Sequence, residues 1–298
     1  MENPNLSVVI AAYQAGATIG RTVDSVRACL GGERLQIIVA DDGSDDDTRD
    51  QAARPGVEIL ALPHVGRPAA LNAGLAAARG EIVLFTDADC VVPYSWIEDL
   101  LDDLKDVDGV GGNLLPSRLT AVELAKVLRY VQEFERNYEL AGEYPGICLN
   151  GNNMALRLEA LRKVGGFDET FLHGADADLT RRLLAAGCRL RRTVQAQVTH
   201  LKVDDFRSFL RTMWRRGSTV KFGLKSGEEN WGTMLRALCL SPWKWLLIDF
   251  RRAPRLAILG PEATGGRAWL APLVNFAGGI VNALGRIHYY RRFRRGVR

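Results

Sequence analysis

The chain is poor in paired cysteines: it has five among 298 residues, and none stands in a C-x-x-C pair. Cys29, Cys90, Cys148, Cys188 and Cys239 form an odd, scattered set that reads as reduced thiols in a cytosolic protein. The opening residues, Met1-Glu-Asn-Pro-Asn, hold no basic stretch followed by an apolar one, so no secretory signal is expected. No internal repeat and no low-complexity linker breaks the pattern. No recognised nucleic-acid motif accompanies the basic residues, so nucleic acid is not an expected partner. What remains is an ordinary globular composition, 47% hydrophobic and 25% charged. Its length suits one large α/β domain, alone or with an appendage. The charge is unevenly spread. Residues 1–150 hold 12 Lys/Arg and 24 Asp/Glu, whereas residues 151–298 hold 27 and 11. The acidic half suits a metal, and the basic half suits phosphates or an anionic membrane surface.

Apolar runs at Leu6–Ala12, Leu35–Ala40, Val57–Leu62 and Glu81–Phe85 predict four strands. Helical spacing over Thr18–Leu30, stopped by Gly31-Gly32, and an Ala-rich stretch over Pro68–Arg79 alternate with them. This order predicts an α/β fold with a mostly parallel sheet and helices on both faces. Further on, helices are expected over Ser95–Leu104, Arg118–Leu140, Leu158–Val164 and Ala177–Ala186, with short strands at Gly109–Leu114 and before Arg157. The compact domain is expected to cover residues 1–225, followed by a helical, basic C-terminal region over 226–298.

Thr86-Asp-Ala-Asp89 follows the fourth apolar run, which puts two carboxylates at the end of a buried strand. Two such acids repel unless a cation lies between them. A divalent metal carrying a diphosphate satisfies this, and a solvated acidic turn is the plain alternative.

Seven motifs in order extend the pattern. They are Ser7-Val-Val-Ile-Ala-Ala-Tyr13, Ile38-Val-Ala-Asp-Asp-Gly-Ser44, Gly66-Arg-Pro-Ala-Ala-Leu-Asn-Ala-Gly74, Thr86-Asp-Ala-Asp89, Gly151-Asn-Asn-Met-Ala155, Gly165-Gly-Phe-Asp168 and Asp176-Ala-Asp-Leu179. Together they resemble the family 2 glycosyltransferases over residues 5–220. The resemblance implies the GT-A (Rossmann-like) fold and an inverting transfer of a sugar from a UDP- or GDP-sugar to an acceptor hydroxyl. It also implies a glycan or lipid-linked acceptor, as in cell-envelope or polysaccharide synthesis. By the same resemblance, Asp42 contacts the base, with helix capping by Asp41 and Asp42 as the local alternative. The backbone at Ala11 and Tyr13 packs against base and ribose. Asp87 contacts ribose or sugar, and Asp89 holds Mn²⁺ or Mg²⁺, with His200 either a further metal or diphosphate contact or a structural histidine. Asp176 is the general base at the start of a helix. Arg67 and Arg216 are donor contacts or solvated arginines. Gly151 and Asn152 line the sugar and acceptor side, and His173 either assists acceptor binding or is a loop histidine with no role. Asn72 is a ligand contact or a structural bond to the neighbouring loop, and Asp178 is expected to cap the helix or to pair with Arg181 or Arg182. One departure is plain: the family's Glu-Asp pair reads Ala175-Asp176 here, which bears on acceptor binding.

Other classes share parts of this pattern. A sugar nucleotidyltransferase has a similar sheet and acidic site, but calls for a basic Gly-rich loop where this chain reads Ala11-Ala-Tyr-Gln-Ala-Gly16. A non-catalytic sugar-nucleotide or membrane-binding module is supported only by Ala175. The C-terminal region adds five of the six Trp after residue 213 and an uncharged stretch over Ala268–Gly285. In that stretch Leu273, Ala277, Ile280, Val281 and Leu284 share one helical face, and Asn275, Gly279 and Asn282 another. A membrane-surface or partner-packing helix, or a helix on the protein's own core, fits this pattern. The expected location is the cytoplasm, either free or peripheral at the cytoplasmic face of the membrane.

Overall fold

The computed structural model describes residues 6–29, 35–128, 135–140, 148–171, 173–219, 232, 241–264 and 266–294. Strands are β1 Leu6–Ala12, β2 Leu35–Asp41, β3 Val57–Ala61, β4 Ile82–Asp87, β5 Cys90–Val91, β6 Gly109–Pro116, β7 Tyr138–Glu139, β8 Asn153–Arg157 and β9 Leu190–His200. Helices are α1 Gly16–Arg27, α2 Thr48–Ala52, α3 Arg67–Ala77, α4 Trp96–Leu104, α5 Ala121–Leu128, α6 Leu158–Val164, α7 Ala175–Ala185 and α8 Phe206–Arg216. The last two helices are α9 Ser241–Arg252 and α10 Gly266–Arg294. The Gly31-Gly32 stop, residues 129–134, Trp231, the expected boundary near 225 and residues 295–298 of the basic C-terminal region lie outside the described residues.

The chain divides into two compact units. The first holds Met1–Leu115, Glu135–Thr170 and Ala175–Lys202, and carries all nine strands. Their order is β3-β2-β1-β4-β8-β6-β9-β5, with β7 on β9. Strands β1 to β4 are parallel, as the βαβ alternation predicts, and the sheet is mixed because β8, β6, β9, β5 and β7 extend it. Of these, β8 runs antiparallel to both β4 and β6, and β5 and β7 run antiparallel to β9. The central strand β1 is buried at every position. The edge strand β3 is only half-buried, so its apolar run is weaker. Helix α1 covers the sheet with Ile19, Thr22, Val23 and Val26, one stripe at helical spacing. Helix α4 does the same with Trp96, Ile97, Leu100 and Leu104, and carries Glu98 and Asp99 in its first turn, where the helix dipole favours acids. Helix α3 lies so close to β1 that a Cβ at Gly74 would stand 2.4 Å from Val9 Cγ1.

Chain order creates the site. The chain passes from β1 to β2 and β3 on one side, then returns to β4 on the other side of β1. A crevice therefore opens between the C-terminal ends of β1 and β4, the place where open α/β sheets take ligands.

The second unit holds Pro116–Phe134, Phe171–Gly174 and Val203–Arg298. Leu124, Ala125, Leu128, Leu256, Ala263, Ala268 and Ala271 form its core. Buried Glu123 accepts from Lys126 and from the backbone of Asp204. Asp205 caps α8 by accepting from Ser208 N at 2.6 Å. Among the described residues, the helical spacing expected over 118–140 holds for α5, whereas Tyr138 and Glu139 are in strand β7 opposite β9.

Candidate active site

Register places the acids. Ala11 on β1 lies opposite Asp87 on β4, and Ala12 lies opposite Asp41 on β2. Two residues beyond Asp87, the chain forms β5, which pairs antiparallel with the end of β9 so that Cys90 faces His200. The Leu201 amide donates to the Asp89 carbonyl at 2.8 Å. This short ladder brings His200 Nε2 to 3.2 Å from Asp89 Oδ2. His200 Nδ1 in turn lies 2.9 Å from the Lys202 carbonyl, which orients the ring.

The two acids differ in their surroundings. Asp87 is paired with the Arg67 guanidinium. Burial pushes the Asp87 carboxyl above its ordinary range, with the Arg67 charge opposing and the Asp89 charge adding. Burial acts on Asp89 in the same sense, but there the hydrogen bond from His200 and the charges of His200 and Lys202 prevail and hold it below the usual range. Lys202 is a contributor that the sequence motifs did not single out. Burial also pushes the neighbouring Cys90 thiol up, aided by both acids, so it stays protonated.

Arg67 joins this pair to a second cluster. Its guanidinium also donates to the Gly151 carbonyl at 3.2 Å. The Gly151 amide donates to Asp176 Oδ2 at 3.4 Å. Asp87, Arg67, Gly151 and Asp176 are thus one connected chain. A Cβ at Gly151 would stand 3.3 Å from Asp176 Cβ and 3.4 Å from Arg67 Nη2, so glycine leaves the room this contact needs. Asp176 lies in the first turn of α7, where the dipole favours the carboxylate. Ala175 beside it is buried.

In the loop after β2, Asp42 is committed to the backbone. It accepts from Val65 N at 2.7 Å and from Gly66 N at 3.0 and 3.1 Å. It therefore fixes the loop that leads into α3 rather than capping α2. Asp41 lies 3.4 Å from Arg49 Nε. His64, another residue outside the motifs, stacks on Tyr13 at 4.3 Å with 28° between the rings and lies 3.2 Å from Asp42 Oδ2. Both rings are half or more exposed, which leaves apolar ring surface at the end of β1.

Several motif residues prove to be struts. Asn72 donates to the Phe167 carbonyl at 2.9 Å and accepts from Phe167 N at 2.8 Å, which clasps the Gly165-Gly-Phe-Asp168 turn to α3. Asp178 pairs with Arg181 and Arg182 at 3.1 and 2.6 Å, as expected. Asn153 is fully buried and accepts from the Trp96 indole at 2.9 Å. It also donates to the carbonyls of Asn113 and Ala196 at 2.8 and 2.9 Å. Asn153→Ala would leave the Trp96 N–H and two carbonyls without this partner, at a cost of about 3 kcal/mol. A chemical-denaturation midpoint unchanged from the wild type would refute that role. Asn152 differs: its Oδ1 is buried and has no hydrogen-bond partner among the described residues. His173 and Arg216 belong to the second unit.

Among the described residues no group of three or more His, Cys, Asp or Glu side chains is gathered to hold a metal. The Asp89–His200 pair offers one carboxylate and one imidazole. That set suits a Mn²⁺ or Mg²⁺ ion that takes its remaining ligands from phosphate oxygens and water.

Comparison with known proteins decides the family. The family model described as glycosyl transferase family 2 matches residues 7–165, more than half of the chain. The chain belongs to glycosyl transferase family 2. Among its relatives is the pre-mycofactocin glycosyltransferase of Mycobacterium tuberculosis, 28% identical over 80% of this chain and 52% of that protein. The succinoglycan biosynthesis protein ExoA of Rhizobium meliloti is 27% identical over 61% of this chain and 59% of that protein. The family 2 chain therefore spans little more than half the length of these relatives. Among solved structures, the mannosyltransferase PcManGT of Pyrobaculum calidifontis, in complex with GDP-Man and Mn²⁺, superposes with a TM-score of 0.66 at 20% identity. The match covers 98% of this chain and 87% of that one. S. aureus TarS 1-349 in complex with UDP gives 0.52 at 16% identity, covering 98% and 92%. At these identities the likeness is one of fold, and the fold is GT-A.

Proposed function

We propose that this family 2 glycosyltransferase moves a sugar from a nucleotide-diphosphate donor, a UDP- or GDP-sugar, to an acceptor hydroxyl with inversion. The observation that carries the reading is the connected chain from Asp87 through Arg67 and Gly151 to Asp176, beside the Asp89–His200 pair. It joins an acid suited to a leaving diphosphate to an acid suited to an attacking hydroxyl, within one unit.

In this reading the acceptor oxygen attacks the anomeric carbon and gives its proton to Asp176 as general base. The bond from the anomeric carbon to the phosphate oxygen breaks, and the electron pair leaves with the nucleoside diphosphate. A bound Mn²⁺ or Mg²⁺, held by Asp89 with His200, would neutralise that charge. Arg67 adds positive charge on the donor side, and Asp87 orients it while facing the ribose or sugar. The ring surface of Tyr13 and the backbone at Ala11 receive the base. Asp42 serves that site by fixing the loop from His64 to Gly66, and its remaining lone pairs are available to a base N–H. Asn152 Oδ1 and the Gly151 backbone face the acceptor side. A glycan or lipid-linked acceptor and a peripheral membrane position complete the proposal, with residues 1–225 as the transferase domain and 226–298 as an attachment region.

The purified protein should release nucleoside diphosphate, and no pyrophosphate, when given a UDP- or GDP-sugar with Mn²⁺. Release of pyrophosphate would point to a nucleotidyltransferase instead. A thermal-shift screen of nucleoside diphosphates should identify the base. The right one is expected to raise the melting temperature in a Mn²⁺-dependent way, because a ligand bound only to the folded state stabilises it.

A further inference from the structure

We propose that the second unit lies on an anionic lipid bilayer, with the outward stripe of α10 and α9 set at the boundary between headgroups and acyl chains. The proposal rests on the peripheral membrane position suggested above, and it identifies the surface responsible.

Helix α10 turns asparagines, glycines and alanines inward and leucines outward. Its asparagines face inward. Asn275 is buried and donates to the Ala125 carbonyl at 2.8 Å and to Asp249 at 3.0 Å. Asn282 donates to the Met213 carbonyl at 3.0 Å. Between and beyond them, Gly278 and Gly285 allow close approach of α8. A Cβ at Gly278 would stand 2.7 Å from the Phe209 ring, and one at Gly285 would stand 2.4 Å from the Trp214 carbonyl. Residues 275, 278, 282 and 285 follow helical spacing, so one seam of Asn and Gly packs the helix. The leucines face the other way: Leu270, Leu273 and Leu284 are 50%, 49% and 43% exposed. A helix beside water shows the reverse. Small residues and polar hydrogen bonds inside, with aliphatic side chains outside, is the packing of helices that face lipid.

Helix α9 repeats the pattern. Trp243, Leu247 and Arg251 are exposed at spacing i, i+4, i+8. Its one acid, Asp249, is turned inward onto Asn275. Trp269 is also exposed, and Trp is the side chain that favours the level of the headgroups.

Charge identifies the partner. Residues 203–298 contain 18 Lys/Arg and six Asp/Glu, and neither α8 nor α10 contains an acid. Helix α8 presents exposed Arg207, Arg211 and Arg215 in one row. A second copy of this surface would set arginine rows against arginine rows, whereas anionic headgroups complement them. Helix α10 is long and apolar enough to cross a membrane by composition. It instead packs along α5 and α8 through a polar seam, which suits a helix lying in the interface plane.

The test is co-flotation of the full chain with phosphatidylcholine vesicles, with and without phosphatidylglycerol. Binding should require phosphatidylglycerol and fall with salt. The paired substitution Leu273→Glu, Leu284→Glu alters exposed side chains only, so circular dichroism should be unchanged while binding drops at least about tenfold. Arg207→Gln with Arg211→Gln should remove most of the phosphatidylglycerol dependence. Wild-type flotation by the Leu273→Glu, Leu284→Glu protein, or none by the wild type, overturns the proposal. So does sedimentation showing a lipid-free dimer that this pair converts to a monomer, because the face would then belong to a second copy. Nucleoside diphosphate release from a UDP- or GDP-sugar, measured on the same preparation, separates the two readings. Flotation without release supports the lipid surface and removes the transferase reading, whereas release without flotation removes the lipid surface alone.

Discussion

Asp89→Ala is expected to lower sugar transfer by roughly a thousandfold, which corresponds to about 4 kcal/mol of lost stabilisation of the leaving diphosphate. The side chain is partly exposed, and its backbone carbonyl, not its carboxylate, holds Leu201. The β5–β9 ladder should therefore survive, and the melting temperature should change little. Two measurements bear on the cause. Steady-state transfer should fall chiefly in kcat. Calorimetric titration with a nucleoside diphosphate should show that the gain in affinity from Mn²⁺ has disappeared, while metal-free affinity is kept. Full turnover by the purified variant, or unchanged Mn²⁺ dependence, would remove Asp89 from the proposed metal site.

Asp176→Asn is expected to cost between about a hundredfold and ten-thousandfold in kcat, with donor affinity intact, because it removes the proton acceptor and little else. The amide oxygen of Asn can still accept from the Gly151 N–H, so the link to Arg67 should persist. Asp176→Ala removes that bond as well. The contrast separates chemistry from positioning. If Asn and Ala lose equal activity and both bind donor normally, the carboxylate acts as the base. If only Ala is impaired, Asp176 merely holds Gly151. Near wild-type transfer by the Asn variant would end its assignment as base.

The parallel half of the sheet was legible because each strand there is an apolar run and each connection is a local helix. In the other half, β6 and β8 were expected as strands, but their partners were not legible. Strands β4 and β8 meet across some 70 residues of chain, and no periodicity records such a pairing. Strand β9 was only partly visible because its sequence, LRRTVQAQVTH, alternates with charged and polar residues. Arg192 within it is almost wholly buried, with Nη2 donating to Asn113 at 2.7 Å, so a residue that reads as surface is part of the interior. At the site, the acids were legible as motifs, but their partners were not. The Arg67 bridge to Gly151, the engagement of Asp42 by Val65 and Gly66, and the strut made by Asn153 all depend on three-dimensional neighbours. His64 and Lys202 carried no motif signal at all, and only the strand ends reveal them.

The ladder between β5 and β9 is two residue pairs long, yet it sets His200 beside Asp89. Side chains alternate along a strand, so adding or deleting one residue in β9 ahead of His200 would bring its neighbour opposite Cys90 and turn the imidazole away. The stretch entering His200 can change its amino acids but not its count, and length invariance there is the mark this geometry should leave on its descendants.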